Sequence, residues 1–405
     1  MAHPNNVSSF FQTGGDFNNN LSFSGGTDKA SARVSLGTDD SRGYIPNNTF
    51  HKFSAALSGN LQVSSRLSTS ANLNYINNEG LNRAGTGYNV GILEGLYVWF
   101  GRQVDMNALK NEYYQPDGSL FNWNYNYHNN PYWLQYDNPE RDSRDRVIGD
   151  VSATYKLTDW LNVTARTGSD IYIYNQSQQW AAGNLNFSNP SYAGAFNFQQ
   201  TAWNENNSSV QATARKSLTS HLSIDALAGA NRRYSSYHYT SQATSGISVP
   251  GIYNVANAAI TPTLGQNVQN LQVNSVYGSA SFTWDDWWTV QGTARNDWSS
   301  TLPKGSNSYF YPSVNTSLVL TNMIPALKSN VLDYVKLRGS VARWVPTHRR
   351  ISWPRHTSAA RRNFPGCRSI TSTARSPIRR SSPRSRSRAK PASNSDSSMT
   401  APRSI

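Results

Sequence analysis

Apolar and polar residues alternate one by one in many short stretches between residues 15 and 343. This period of two, not the 3.6 of an amphipathic helix, sets the expected elements. Between 276 and 284, Val276, Gly278, Ala280, Phe282 and Trp284 fall on one face, and Tyr277, Ser279, Ser281 and Thr283 on the other. The pattern predicts about twelve strands in six hairpins. They are Asn19–Ser24 with Ala30–Leu36, Phe50–Gly59 with Leu67–Ile76, Val147–Lys156 with Leu161–Tyr174, Ser209–Lys216 with Leu222–Tyr234, Val273–Trp284 with Trp287–Asn296, and Tyr309–Leu320 with Val331–Arg343. Many run to about ten residues, the length of a tilted bilayer-crossing strand and longer than the ~5–6 of a soluble one. Turns within hairpins are short, as at Leu157–Trp160, Leu218–His221 and Asp285–Asp286, whereas roughly residues 78–145, 175–208, 235–272 and 297–308 form long connections. Short turns at one end and long loops at the other are the pattern of an outer-membrane barrel. Trp160, Trp284, Trp287 and Trp288 stand at the short turns, where an aromatic girdle meets lipid headgroups. A soluble β-sandwich or β-helix also alternates, but with shorter strands and more even loops.

Composition separates two regions. Of 37 Lys+Arg and 23 Asp+Glu, residues 344–405 hold 14 bases and the single acid Asp396, so +13 of the net +14 lies there. The only cysteine, Cys367, lies there too. Residues 1–343 are close to neutral, without thiols for disulfides or thiolate metal sites. No apolar run approaches the ~20 residues of a transmembrane helix, and the start, Met1-Ala2-His3-Pro4-Asn5, does not read as a signal segment.

Several stretches carry a family resemblance. Gln12-Thr13-Gly14, followed by Asn18 through Gly26, resembles the first barrel hairpin of SusC/RagA-type TonB-linked outer-membrane transporters. Asn130-Pro131-Tyr132-Trp133, leading to Arg144 and Arg146, is similar to a later part of that barrel. The most specific stretch runs from Arg295-Asn296-Asp297-Trp298 through Pro303 and on from Asn307 to Ser313, and Val335–Ser340 looks like the strand after it. The resemblance implies an all-β fold, a partial transmembrane antiparallel β-barrel of about 12 of 22 strands with long extracellular loops. It also implies uptake of oligosaccharides or peptides across the outer membrane, a SusD-like surface lipoprotein as lid, and TonB as energy-coupling partner. Half a barrel leaves open strand edges, which cost several kcal/mol per unpaired group in hydrocarbon. This polypeptide alone is therefore expected not to transport. A surface lectin or adhesin is the alternative.

Residues 344–405 are Arg-, Ser- and Pro-rich without apolar period and are expected to be disordered. Read alone, their charge suggests a nucleic-acid-binding arm. The genetic code suggests a frameshift instead. Regrouping the last base of each codon with the first two of the next forces a Gly across Trp344 and Val345 and an Asp across Met399 and Thr400. From Trp344 to Ile351 the regrouped code permits Val-Gly-Thr-Asp-Thr-Ser-Pro-Tyr, which is similar to the segment that follows this strand in SusC-type barrels. Nucleic acid is accordingly not expected as a partner.

No catalytic constellation is expected, and no cofactor. His3, His51, His128, His221, His238, His348 and His356 are scattered, without an HExxH pair. Gly85-Thr86-Gly87 lacks a third glycine, since Val90 stands there, and Asp285-Asp286 reads as a polar turn rather than a cation site. Binding character concentrates in residues 97–136, where twelve Tyr, Trp and Phe are interleaved with Asn. Flat rings and amides suit sugars or peptides. Most of these rings are expected to pack the loop, with Trp123, Tyr125 and Tyr127 as candidate ligand contacts.

Overall fold

Among the described residues, strands pair with their neighbours in sequence. The computed structural model describes residues 2–83, 85, 92–185, 193–329 and 331–343. The strands are β1 (Gly15–Gly26), β2 (Ala30–Arg42), β3 (Thr49–Gln62), β4 (Leu67–Leu81), β5 (Glu140–Lys156), β6 (Leu161–Trp180), β7 (Ala195–Ser217), β8 (Leu222–Ala243), β9 (Thr263–Trp284), β10 (Trp288–Ser299), β11 (Ser308–Val319) and β12 (Lys336–Ala342). They form one twelve-stranded sheet in sequence order. The expected disorder and frameshift of 344–405, Cys367, and Thr86, Gly87 and Val90 all lie outside the described residues.

The chain divides into two compact units. One comprises Met1–Lys216, Ala226–Tyr277 and Asp297–Ser308; the other comprises Ser217–Asp225, Gly278–Asn296 and the residues from Tyr309 on. In the first unit, register places apolar side chains in rows across neighbouring strands. Leu21 pairs with Leu36, which pairs with Ala55, then Tyr75, Val147 and Ile171. The adjacent row runs Phe23, Val34, Leu57, Leu73. These side chains point away from any protein partner: Leu57 is 50% exposed, Leu73 48% and Val151 55%. On β5 the band runs from Val147 to Tyr155, about 27 Å at ~3.4 Å per residue. A strand tilt of about 40° reduces this to ~21 Å, close to the ~25 Å apolar belt of an outer-membrane barrel.

The opposite face of the same strands is polar. Arg146 forms a two-pronged pair with Asp170 at 2.8 and 2.6 Å, and Arg166 reaches Asp150 at 3.2 Å. Ser70 meets Ser152 at 2.7 Å, and Thr154 meets Thr164 at 2.9 Å. The apolar face also turns polar above the Tyr75–Val147 row, where Tyr75 and Asn77 both donate to Asp145, at 2.7 and 2.9 Å. The edge of the lipid-compatible band is thus written in the register.

In the second unit, Asp285 and Asp286 both adopt positive φ (45° and 56°) in the tight link from β9 to β10. The Asp285 carboxylate pairs with His221 Nδ1 at 2.5 Å, and the His221 ring stacks on Trp284. These aspartates therefore shape and brace a turn, and no group of metal-ligating side chains occurs among the described residues.

The strands outrun the sequence expectation at one end. β6 continues to Trp180, β7 begins at Ala195 and β8 continues to Ala243, so the long connections shrink to 82–139, 181–194, 244–262 and 300–307. Backbone ladders need no apolar side chain, and polar runs such as Asn175–Gln179, Gln199–Thr201 and Thr240–Gln242 interrupt the alternation while pairing persists. The expected start of the last strand at Val331 is also too early. A helical turn at Leu320–Met323 and another at Pro325–Leu327 occupy the link, and β12 begins at Lys336.

Candidate functional site

A cluster of buried apolar residues lies outside the strands. Phe10, Ile45, Ile92, Leu96, Met106, Leu109 and Tyr132 form one cluster, drawn from the segment before β1, the β2–β3 link and the β4–β5 connection. The long connection is thus a folded cap with its own core. The helix Asn6–Phe10 enters it through Phe10, whose ring meets Tyr132 edge-on at 5.1 Å. Asn6 Nδ2 ties that helix to Gly101 O at 2.8 Å and Val104 O at 3.1 Å.

The Asn130-Pro131-Tyr132-Trp133 stretch starts the helix Pro131–Asp137. Asn130 Oδ1 accepts from the Tyr132 and Trp133 amides at 2.9 and 3.4 Å, satisfying donors that a helix start leaves unpaired. Pro131 occupies the first turn, where its missing N–H costs nothing. Asn130 Nδ2 donates to Leu109 O at 2.7 Å, with longer bonds to Phe121 O and Glu112 O. Trp133 is fully buried and donates Nε1–H to Tyr114 Oη at 3.0 Å.

Other buried asparagines fasten the cap to the strand ends. Asn82 Nδ2 donates to Asn47 O and Gln135 O at 2.9 and 2.7 Å, while Asn82 Oδ1 accepts from the Glu140 amide at 2.9 Å. Asn129, Asn184 and Asn138 form an amide relay at 3.0 Å per step. None of these roles is visible in the composition, which shows only that Asn is abundant. The Asn130-Pro131 cap is the one with a local sequence signal.

The three candidate aromatics differ in setting. Trp123 is partly buried against the core, lies parallel to His128 with centroids 5.2 Å apart, and meets Phe100 edge-on at 4.8 Å. Its indole N–H is taken by Asn129 O at 3.1 Å. Tyr125 and Tyr127 are more than half exposed. Tyr125 Oη accepts from Gln115 Nε2 at 3.1 Å and from the Asn122 amide at 3.2 Å, fixing the phenol while its ring faces out. Tyr97 and Trp99 add exposed rings, with Trp99 Nε1 donating to Glu94 at 2.6 Å. Burial pushes the Tyr132 phenol up to about 12 and pulls the His128 imidazolium below its usual range, so both stay neutral near pH 7. Hydrogen bonds from the Ser119 hydroxyl and amide hold Asp117 below the ordinary carboxylate range.

No family model and no curated protein matches the chain in sequence. Solved structures do match it in fold. The RagAB peptide transporter superposes with a TM-score of 0.69 at 18% identity, over 84% of this chain and 38% of that one. The RagAB peptide importer gives 0.68 in its closed-closed state and 0.70 in its open-open state, again at 18% identity. The chain therefore spans well under half the length of the transporter chains it matches. No described helix is long and apolar enough to cross a membrane, which leaves crossing by strands open. The fold is that of an outer-membrane transporter β-barrel, represented here by twelve antiparallel strands and the cap between β4 and β5.

Proposed function

We propose that this chain is part of a SusC/RagA-type, TonB-dependent outer-membrane importer. In this reading its sheet forms a section of barrel wall and its cap faces the cell exterior. The carrying observation is the two-faced sheet: exposed Leu, Val, Phe and Ile rows on one side and paired charges on the other. A water-soluble sheet hides its apolar face against a second layer; this one leaves it open at the thickness of a lipid belt. The fold match to a peptide transporter and the ring-and-amide cap support uptake of peptides or oligosaccharides, with Tyr125 and Tyr127 as contacts at the mouth and Trp123 behind them. A SusD-like lipoprotein and TonB are the partners this reading requires. In the described sheet β1 and β12 each have one neighbour, so this stretch works only when further strands close the wall.

The test is residue-by-residue lipid contact. With Cys367→Ser as background, nitroxide labels on Leu57→Cys, Leu73→Cys and Val151→Cys in lipid vesicles are expected to relax with oxygen, which partitions into hydrocarbon. Labels on Ser58→Cys, Asn72→Cys and Ser152→Cys are expected to relax with a water-soluble nickel chelate. A chain that purifies without detergent as a monomer, with both sets equally wet, overturns the reading.

A further inference from the structure

Several charges on and beside the polar face are held in two-pronged pairs. Arg83 forms a two-pronged pair with Asp142 at 2.5 and 3.0 Å, Arg146 with Asp170, and Arg233 with Glu205 at 3.0 and 2.8 Å. Arg144, on the same face of β5 between Asp142 and Arg146, has no carboxylate partner among the described residues. With the Asn78 amide turned so that its oxygen faces Arg144, Arg144 Nη2 donates to that oxygen at 2.9 Å and the Asn78 nitrogen donates to Asn77 O at 3.1 Å. Its Nε is buried without any hydrogen-bond partner. A buried guanidinium N–H facing no acceptor is costly, and native proteins rarely leave one so.

Register defines what surrounds it. Arg144 stands opposite Asn78 on β4 and Tyr174 on β6. One step along, Arg146 stands opposite Tyr172, which stands opposite Trp203 and stacks on it at 6.4 Å. The site therefore has a planar cation without a carboxylate partner, a phenol opposite it and an aromatic pair next along the wall. It lies at the level where the outer face passes from Val147 to Asp145, at the rim of the lipid band.

We infer that Arg144, flanked by Tyr174 and Asn78, is a carboxylate-binding position on the lumen wall. It takes either the acidic group of a peptide or the uronate of an acidic saccharide. A guanidinium fork matches a carboxylate in two bonds, and the adjoining rings accept the aliphatic or ring body next to it. This rests on the importer reading, because only there does the polar face meet a solute stream.

The test uses the full chain in detergent micelles and four probes: an N-acetylated oligoalanine with a free C-terminal carboxylate, the same peptide amidated, an oligogalacturonate, and its neutral galactose counterpart. An acidic probe is expected to bind about tenfold more tightly than its neutral twin, as for a charge-assisted bond. That preference is expected to vanish in Arg144→Gln, to shrink in Arg144→Lys, and to survive in Arg33→Gln, which removes a charge from the same face at a distance. Peptide preference alone assigns the site to peptides, and uronate preference alone to saccharides. Far-UV circular dichroism in the same micelles checks that each variant is folded. Equal binding of twins, a preference that persists in Arg144→Gln, or no binding of any probe overturns the inference. Each of these leaves the importer reading standing if the lipid-contact labels hold.

Discussion

Burying an asparagine amide leaves two acceptor sites and two donor hydrogens to fill, and Asn130 fills them within one short stretch. Its oxygen caps the helix Pro131–Asp137 and its nitrogen bridges to Leu109 O. Asn130→Ala removes the cap and strands buried carbonyls, and is expected to cost about 3 kcal/mol. Protease cutting within 92–139 reads this directly, with Asn130→Asp intermediate because it keeps the acceptor and loses the donors. Tyr132 gives a pH signature. Its folded-state value is raised above that of the unfolded chain, so its contribution is fully present below pH ~10 and is lost as pH rises toward about 12. Tyrosinate absorbance is expected to show one late-titrating phenol that is missing in Tyr132→Phe, and cap cleavage is expected to rise over the same interval. Such residues were only partly legible. Asn130-Pro131 announces a cap in four letters, but Asn82 meets Gln135, 53 positions away, and nothing local marks that pairing.

For the strands, alternation is informative only where the two faces meet different solvents. The hairpin ends at Lys156, Leu161, Leu222 and Trp284 were readable because apolar rows end there against short turns. The far ends of β6, β7 and β8 were not, because polar runs such as Asn175–Gln179, Gln199–Thr201 and Thr240–Gln242 break the period while the backbone goes on pairing. This difference gives a paired test at one site. Leu73→Lys puts a charge on the lipid-facing row and is expected to cost about 2–4 kcal/mol of folding into vesicles. Asn72→Lys, one residue away on the polar face, is expected to be nearly neutral; denaturant titration in lipid measures both. The β9–β10 turn offers a gain. With Asp285 and Asp286 both at positive φ, Asp286→Gly removes a left-handed penalty and is expected to stabilise by about 1 kcal/mol, leaving the Asp285–His221 contact intact.

For the whole molecule, the last described strand runs up to the charge seam. β12 pairs with β11 from Val319↔Lys336 to Ser313↔Ala342, and Arg343 N still donates to Pro312 O at 3.0 Å. β11 itself begins at Ser308, four residues before Pro312, and the described residues end at Arg343. The frame-restored Val-Gly-Thr-Asp would continue the same strand past Pro312 toward Ser308. Sequencing the gene across Arg343 and Trp344 is expected to find a one-base displacement, with the shifted frame open well beyond residue 405 and alternating downstream. Restoring it is expected to lengthen β12, remove the +13 concentrated in 344–405, and raise the fraction of chain that folds into vesicles. A stop codon soon after the seam in the shifted frame would retire this account, and the basic region would then have to be explained on its own chemistry.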